Sequence, residues 1–245
     1  MSELIFPLLF FFIAFVYSSA GFGGGSMYLA VLAESSWPAQ VLKFTGLLCN
    51  AVVTGNGTLR FLMQRWVSWK KSRLILVVSV IPCMLTSAFP LSDRWYMLTL
   101  GCALCVAAFA IAISPKIESD QMHVQRWWIF PASALIGALA GVTGIGGGVY
   151  LAPLLYLTRW GSPKEIAGLT SIFILVNSAA GLIIQYVCFT ITIPQGTSWL
   201  ILAVALGGYL GSGLGSGYFS QRFVKWTTVA IMLFAGSKMI WKNLW

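Results

Sequence analysis

The sequence predicts an all-α, polytopic membrane protein built from two inverted repeats of about five membrane segments each: eight long helices and two short half-helices that follow Gly-rich breaks. Three observations predict this fold: the apolar composition, the lengths of the apolar runs and a duplicated glycine motif. Of the 245 residues, 58% are hydrophobic and 9% are charged, whereas a soluble domain has about 25% charged residues. A soluble globule of this size cannot bury so much apolar surface. The composition therefore excludes a soluble enzyme, a nucleic-acid-binding protein and a disordered chain.

Eight apolar runs have about the length of a membrane-spanning helix, which takes about 20 residues. Helices are expected because an open strand cannot satisfy its backbone hydrogen bonds in lipid. The first run follows no basic stretch and is interpreted as a membrane segment rather than a cleaved signal. The runs cover residues 4–20, 44–63, 74–91, 95–114, 127–143, 166–188, 198–219 and 226–241.

Two further apolar runs, residues 26–33 and 149–157, are too short to span a bilayer comfortably. Each follows a glycine cluster: Gly-Phe-Gly-Gly-Gly at residues 21–25, here called the first bend, and Gly-Ile-Gly-Gly-Gly at residues 144–148, the second bend. Glycine in this density breaks a helix and lets backbones approach closely. We therefore predict a sharp turn into a short half-helix after each bend. Whether these half-helices cross the membrane or re-enter it stays open at this point.

The bends belong to an internal duplication, which is sought first in any sequence of this kind. They lie 123 residues apart and match at four of five positions. Beyond them the offset is 125, which aligns Pro38 with Pro163 and Thr45 with Thr170. The predicted organisation is a first transmembrane repeat at residues 1–115, a polar connecting loop at 116–126 and a second transmembrane repeat at 127–245.

The distribution of positive charge predicts that the two repeats are inverted. The loop at residues 64–73 carries four Lys and Arg, whereas its repeat partner at 189–198 carries none. Parallel repeats would share a charge bias, but inverted repeats place one loop in the cytoplasm and the other outside. With residues 60–73 cytoplasmic, residues 115–126, 158–165 and 220–225 fall on the same side, and these four segments carry eleven of the fifteen cations.

Residues suited to enzyme chemistry are scarce. The chain has one histidine, and its six acids fall at predicted span ends or in loops. No metal-ligand cluster and no carboxylate pair spaced for acid–base work is present in the sequence, and no cofactor is expected. A half-helix that starts at a bend instead points free N–H groups and a positive dipole end into the protein. Two such ends near the midplane suit a small anion, which predicts substrate binding by Gly23, Gly24, Gly25, Gly146, Gly147 and Gly148. The alternative for these glycines is close helix packing or a kink.

Polar side chains shared by the two halves extend this predicted site. Proline is favoured at the start of a helix, and Pro38 and Pro163 are interpreted in this way. Thr45 and Thr170-Ser171 then lie two helical turns after the proline, where their hydroxyls can donate hydrogen bonds into a cavity. Amides at lipid depth face a pathway or a neighbouring helix. The additional candidate residues are Thr45, Thr170, Ser171, Asn50 and Asn177. For the two asparagines, interhelical hydrogen bonding is the alternative role.

Three cations lie near the predicted site. Lys43 and Arg159 are expected to extend toward the lipid headgroups, with attraction of an anion as the alternative. Arg60 aligns with Gln185. It is interpreted either as a fixed countercharge inside its span or as the first of the cytoplasmic cations.

One segment of the second half resembles a known family signature. It reads Gly144-Ile-Gly-Gly-Gly-Val-Tyr-Leu-Ala-Pro153-Leu-Leu, followed by Pro163 and by Ala-Gly-Leu-Thr-Ser at residues 167–171. This resembles the second-half signature of the TauE/SafE sulfite-exporter family (TSUP). The first half carries a weaker copy, with Ala30 where the family often has proline and Lys-Phe-Thr-Gly at residues 43–46 where it tends to have Ala-x-Thr-Ser. The resemblance covers the whole chain.

The resemblance implies a permease of the bacterial inner membrane that moves small sulfur-containing anions such as sulfite, sulfoacetate or another organosulfonate. We expect a secondary transporter that works by rocking of its two halves around a midplane site. The alternatives are a channel-like anion pathway and a non-transporting membrane scaffold or enzyme subunit. The expected partners are the anionic substrate and the lipid bilayer, without nucleic acid, and both a monomer and a homodimer stay open.

Overall fold

A computed structural model describes residues 2–19, 21–35, 37–113, 126–214 and 221–244. Within these ranges the chain is helical and contains no strand, which confirms the predicted all-α class. Except for Arg126, the predicted connecting loop lies outside the described residues. The helices are α1 (Ser2–Ser19), α2 (Gly25–Leu32), α3 (Ala39–Met63), α4 (Trp69–Ser87), α5 (Asp93–Ile113), α6 (Ile129–Thr143), α7 (Gly148–Leu157), α8 (Pro163–Cys188), α9 (Thr197–Leu214) and α10 (Gln221–Leu244), with a 3-10 turn at Arg126–Trp128.

Helices α3 and α8 begin earlier than the apolar runs within them, because polar groups cap their first turns. Ser162 and Glu165 form a capping box at the start of α8. The Asp93 carboxylate accepts a hydrogen bond from the Ala39 amide at 2.8 Å, at the start of α3. These contacts satisfy N–H groups that have no partner within the helix.

The outer surface of the described helices is apolar. Leu85, Phe109 and Phe234 each expose more than 60% of their surface, as do many other large hydrophobic side chains. A soluble monomer rarely exposes contiguous apolar area on this scale. By length and composition, α5 and α8 could cross a membrane, and five shorter helical stretches of 10–17 residues are also apolar. These stretches are Ile5–Ser18, Ser72–Ser87, Ile129–Thr143, Gly148–Leu157 and Thr197–Gly213.

The main helix contacts join the two predicted repeats. Helix α1 packs on α9, α4 on α6, α5 on α10 and α3 on α8. The chain segments before and after residues 116–126 therefore interlock and do not form two separate bundles.

Close parallel crossings hold α1 to α9 and α6 to α4. Each crossing uses two glycines spaced four residues apart, a spacing that lets helix backbones approach closely. A Cβ placed on any of the four glycines would meet a backbone carbonyl oxygen of the other helix: Gly207 meets Phe11, Gly211 meets Phe15, Gly137 meets Ser79 and Gly141 meets Cys83. In each pair, the residue numbers of the contacting positions increase in the same direction along both helices, so the two helices are parallel. Gly207 and Gly211 therefore have a packing role between α1 and α9.

Helices α3 and α8 run antiparallel along a contact surface that we call the α3/α8 seam. Leu47 near the start of α3 packs on Gly181 late in α8, and Phe61 near the end of α3 packs on Gly168 early in α8. Between them, the Ser171 hydroxyl donates to the Thr54 carbonyl at 3.4 Å. The chain leaving α3 and the chain leaving α8 consequently lie at opposite ends of the seam.

Candidate functional site

The two bends have the same backbone geometry. Gly24 and Gly147 are the N-cap residues of α2 and α7, with φ of 81° and 80°. This left-handed region strains any residue that carries a Cβ, so glycine is required at both positions. The half-helices that follow have eight and ten residues. At 1.5 Å per residue they extend roughly 12 and 15 Å, about half the thickness of a membrane core.

Backbone donors are free at both bends. The N–H groups of Gly23, Gly24 and Gly25, and those of Gly146, Gly147 and Gly148, donate to no atom within the described ranges. The first N–H groups of any helix lack intrahelical acceptors and carry the positive end of the helix dipole. Both bends are buried, so these donors point into protein rather than into water.

The Asn50 side chain, in the α3/α8 seam, contacts both bends. Its Nδ2 donates to the Ile145 carbonyl of the second bend at 2.9 Å. A Cβ placed on Gly23 would lie 2.6 Å from Asn50 Oδ1, and one on Gly146 would lie 3.1 Å from Asn50 Nδ2. A Cβ placed on Gly25 would lie even closer to the Asn50 amide group and would overlap it. The two bends, 123 residues apart in sequence, therefore meet around one side chain.

Ile174 of α8 also contacts both bends. A Cβ on Gly23 would lie 3.3 Å from Ile174 Cγ2, a Cβ on Gly146 would lie 2.9 Å from the same atom, and Gly148 contacts Ile174 Cδ1. A Cβ placed on Gly24 or Gly147 would point away from Asn50 and Ile174. It would meet Tyr28 at Gly24 and Phe173 at Gly147. Close approach of backbone and side chains is thus one role of these glycines. Their role in anion binding stays a prediction.

Among the described residues, four fully buried polar atoms beside the bends have no hydrogen-bond partner: Tyr28 OH, Asn50 Oδ1, Thr170 Oγ1 and Ser178 Oγ. Thr170 Cγ2 lies 3.0 Å from a Cβ placed on Gly148, and Ser178 Oγ lies 2.9 Å from one placed on Gly146. Buried polar groups in native proteins are nearly always satisfied. Their concentration around the two bends is therefore typical of a site that receives a polar ligand.

The other predicted polar residues lie in the same core, but two of them bond to protein. The Ser171 hydroxyl bridges to Thr54 and Thr58 of α3. Asn177 Nδ2 donates to Ser79 Oγ of α4 at 3.0 Å, which is the interhelical alternative, and to the Phe173 carbonyl of its own helix at 2.9 Å, while its Oδ1 has no partner among the described residues. Thr45 is buried in α3.

The sequence reasoning did not single out Ser178 as a candidate. Its signal is periodicity: Thr170, Ile174, Ser178, Gly181 and Gln185 recur at intervals of four, four, three and four residues, which places them on one helix face. Gln185 was noted only as the repeat partner of Arg60. Its side chain is 1% exposed, and its Oε1 atom has no partner.

The expectation that Lys43 extends to the headgroups is wrong. Lys43 is 5% exposed, and its Nζ donates to the Ser87 carbonyl at 3.2 Å, because it lies on the buried side of α3. Arg159 is exposed. Arg60 donates to the Tyr209 carbonyl at 3.2 Å and lies 5.2 Å from the centre of that ring, which ties α3 to α9.

Carboxylates whose contacts are described lie away from the bends and are engaged elsewhere. Glu34 pairs with Lys238 at 2.7 Å, Asp93 caps α3, and Glu165 caps α8. No group of residues able to hold a metal ion occurs within the described ranges. Among the described residues, the charges and dipoles nearest the bends are therefore the helix dipoles, the N–H donors and the buried cation Lys43, which packs against Gly144.

Comparison with known proteins identifies the family. The family profile described as "Sulfite exporter TauE/SafE" matches residues 6–239, nearly the whole chain. The chain belongs to the TauE/SafE family. It is 31% identical over 243 residues to "Probable membrane transporter protein y4hK" of Sinorhizobium fredii, with 96% of each chain covered. No solved structure matches it.

Two further relatives match over shorter regions. A "Probable membrane transporter protein" of Haemophilus influenzae is 25% identical over 175 residues, which cover 66% of this chain and 64% of the relative. "Sulfite exporter TauE/SafE family protein 6" of Arabidopsis thaliana is 30% identical over 123 residues, which cover 45% of this chain and 26% of the relative. TauE/SafE membership and the apolar exterior make this chain an integral membrane protein of a transporter family.

Proposed function

We propose that this TauE/SafE chain is a secondary transporter of a small sulfur-containing oxyanion, such as sulfite or an organosulfonate. The substrate binds where the two bends meet, and access alternates between the two sides of the membrane. The observation that carries the proposal is the convergence of both bends on Asn50, beside the unpartnered hydroxyls of Thr170 and Ser178.

The chemistry of this place favours an anion with several oxygens. Helix N-termini bind anions through free N–H groups and the dipole. Hydroxyls donate additional hydrogen bonds, and hydrogen bonds to a charged group are the stronger kind. A sulfite or sulfonate group offers three oxygens to donors that approach from different elements. The names of the family and of the Arabidopsis relative both contain "sulfite exporter", so sulfite is the first substrate to test.

Alternating access follows from an inverted-repeat organisation with repeats at residues 1–115 and 127–245, joined at 116–126. Two features support it. Helices α3 and α8, which correspond at an offset of 125 residues, run antiparallel. If the two repeats are equivalent, α1 corresponds to α6 and α9 corresponds to α4. The pair α1 and α9 and the pair α6 and α4 are therefore the same contact in the two repeats, and both pairs are parallel. The substrate would bind near the axis that relates the repeats, where rocking changes its exposure.

The orientation follows from the charge bias. Residues 60–73 and 115–126 face the cytoplasm of a bacterial cell, and the first residues of α3 lie toward the outside. An inside-negative potential then drives an anion outward by about 2.3 kcal/mol per charge per 100 mV. Export needs no other energy source in this arrangement.

The test is transport by the purified chain in liposomes. We expect uptake of ³⁵S-sulfite to saturate, to be accelerated by unlabelled sulfite on the other side, and to be inhibited by sulfoacetate more than by acetate. Uptake that rises linearly with concentration and shows no such exchange would identify a channel-like pathway instead. If the folded protein moves no sulfite or sulfoacetate, the proposal is wrong.

A further inference from the structure

Lys43 is a buried cation that the site described above does not use. It is the fifth residue of α3. A Cβ placed on Gly144, the first residue of the second bend, would lie 2.9 Å from Lys43 Cγ. No carboxylate of the described residues lies within 4 Å of its Nζ atom. Asp93, which lies near the start of α3, already accepts from the Ala39 amide. Charged side chains at such positions in membrane proteins are costly and usually functional.

The Ser87 carbonyl accepts two hydrogen bonds, from Lys43 Nζ at 3.2 Å and from Gln185 Nε2 at 2.9 Å. Ser87 is the last residue of α4, so its carbonyl has no helical N–H partner. Lys43 Nζ or Gln185 Nε2 can therefore donate to a ligand instead, while the other group still donates to the Ser87 carbonyl. A cavity of about 10 Å³, lined by Lys43, Gln185 and Gln40, lies beside them. It holds about one water-sized group.

A continuous face of α8 connects Gln185 with the bends. Thr170, Ser178 and Gln185 lie on this face, and each has a buried side-chain oxygen without a partner. Between Ser178 and Gln185 lies Gly181, where an added Cβ would meet Leu47 Cδ1 at 3.0 Å and Ser87 Oγ at 3.3 Å. Seven residues of helix separate Ser178 from Gln185, which corresponds to about 10 Å.

The same position in the other repeat lacks a cation. At an offset of 125 residues, Lys43 corresponds to Gly168, and Gln185 corresponds to Arg60. Gly168 packs on Val67 and Phe61, and Arg60 bonds to the Tyr209 carbonyl. Each end of the seam therefore carries one cation of α3, but Lys43 is buried beside Gln185 whereas Arg60 is bonded to the Tyr209 carbonyl of α9.

We propose that Lys43 and Gln185 form a second anion-binding position on the substrate path, about 10 Å along α8 from Ser178, at the end of the seam assigned to the outside. This inference rests on the proposed function and concerns the same small oxyanion. When the anion binds, the Lys43 ammonium releases its hydrogen bond to the Ser87 carbonyl and donates to an oxygen of the anion instead. Gln185 Nε2 continues to donate to the Ser87 carbonyl. Because Gly168 occupies the equivalent position, the external side has the lower half-saturating concentration.

The experiment compares Lys43→Met, Lys43→Arg and the control Lys242→Met in liposomes with oriented protein. Lys242 is an exposed cation near the end of α10 and receives the same change of side chain. We expect Lys43→Met to raise the half-saturating external concentration of ³⁵S-sulfite by at least about tenfold, since a charge-assisted hydrogen bond is lost. Lys43→Arg should stay within about threefold, and Lys242→Met should match the wild type.

Thermal stability separates binding from a structural role. A neutral side chain of similar length removes an unpaired buried charge, so Lys43→Met is expected to melt at or above the wild-type temperature. Wild-type transport with an unchanged half-saturating concentration in Lys43→Met would overturn this inference alone, as would equal losses of stability and transport. A wild-type protein that moves no oxyanion would overturn the proposed function and this inference with it.

Discussion

Asn50 of α3 donates from Nδ2 to the Ile145 carbonyl of the second bend at 2.9 Å. This carbonyl lies between α6 and α7 and accepts from no helical N–H, so the amide from the other half of the chain satisfies it. The bond fixes the second bend against the helix that also packs on the first bend. The position of both bends depends on it.

Replacement of Asn50 by alanine should destabilise the protein. The Ile145 carbonyl would stay buried without its partner, which costs about 1–3 kcal/mol of unfolding free energy. The control is Asn243→Ala, whose amide also donates to a carbonyl, within the last turns of α10. That change should cost less than about 0.5 kcal/mol. Thermal denaturation in detergent measures both, and equal losses would contradict the role given to Asn50.

Gly25 and Gly55 provide a matched pair of alanine substitutions. A Cβ on Gly25 would overlap the Asn50 amide and displace it from Ile145. Gly25→Ala should therefore lower both stability and sulfite uptake. A Cβ on Gly55 meets nothing within 4 Å, so Gly55→Ala should raise stability by up to about 1 kcal/mol through helix propensity. Normal uptake by Gly25→Ala would remove the first bend from the proposed site.

Thr170→Val tests the unpartnered hydroxyl beside the second bend. The hydroxyl makes no hydrogen bond in the protein, so its loss should leave the melting temperature unchanged or raise it. The half-saturating concentration of sulfite should rise about tenfold, because one donor to the anion is lost. Thr99→Val is the control, since the Thr99 hydroxyl bonds within α5, away from the bends. An unaltered sulfite affinity in Thr170→Val would exclude this hydroxyl from the binding site.

Cysteine labelling tests the inverted repeats. In a variant without the five native cysteines, Lys70→Cys and Gln195→Cys each place one thiol at an exposed residue next to a loop. A membrane-impermeant thiol reagent applied to intact cells should label residue 195 and leave residue 70 unlabelled. Lys242→Cys should be labelled together with residue 195. Labelling of residues 70 and 195 from the same side would contradict the inverted arrangement.

The number and order of the helices were predictable from the sequence, because a segment in lipid must satisfy its own backbone and must have a length set by the bilayer. The two bends were predictable because only glycine adopts the geometry found at Gly24 and Gly147 without strain. The charge bias predicts that the segments after α3 and α8 lie on opposite sides of the membrane, and the labelling experiment tests this prediction.

Tertiary structure decided which polar side chains surround the bends. Periodicity tells which residues share a face of α8, but it does not tell which neighbouring helix that face meets. Asn50 and Asn177 look alike in the sequence, yet Asn50 joins the two bends while the Asn177 amide bonds to Ser79. The burial of Lys43 was likewise unpredictable, since it depends on contacts with Gly144 and Ser87, which are remote in the chain. Contacts between distant segments arise from packing of whole helices, which no local pattern encodes.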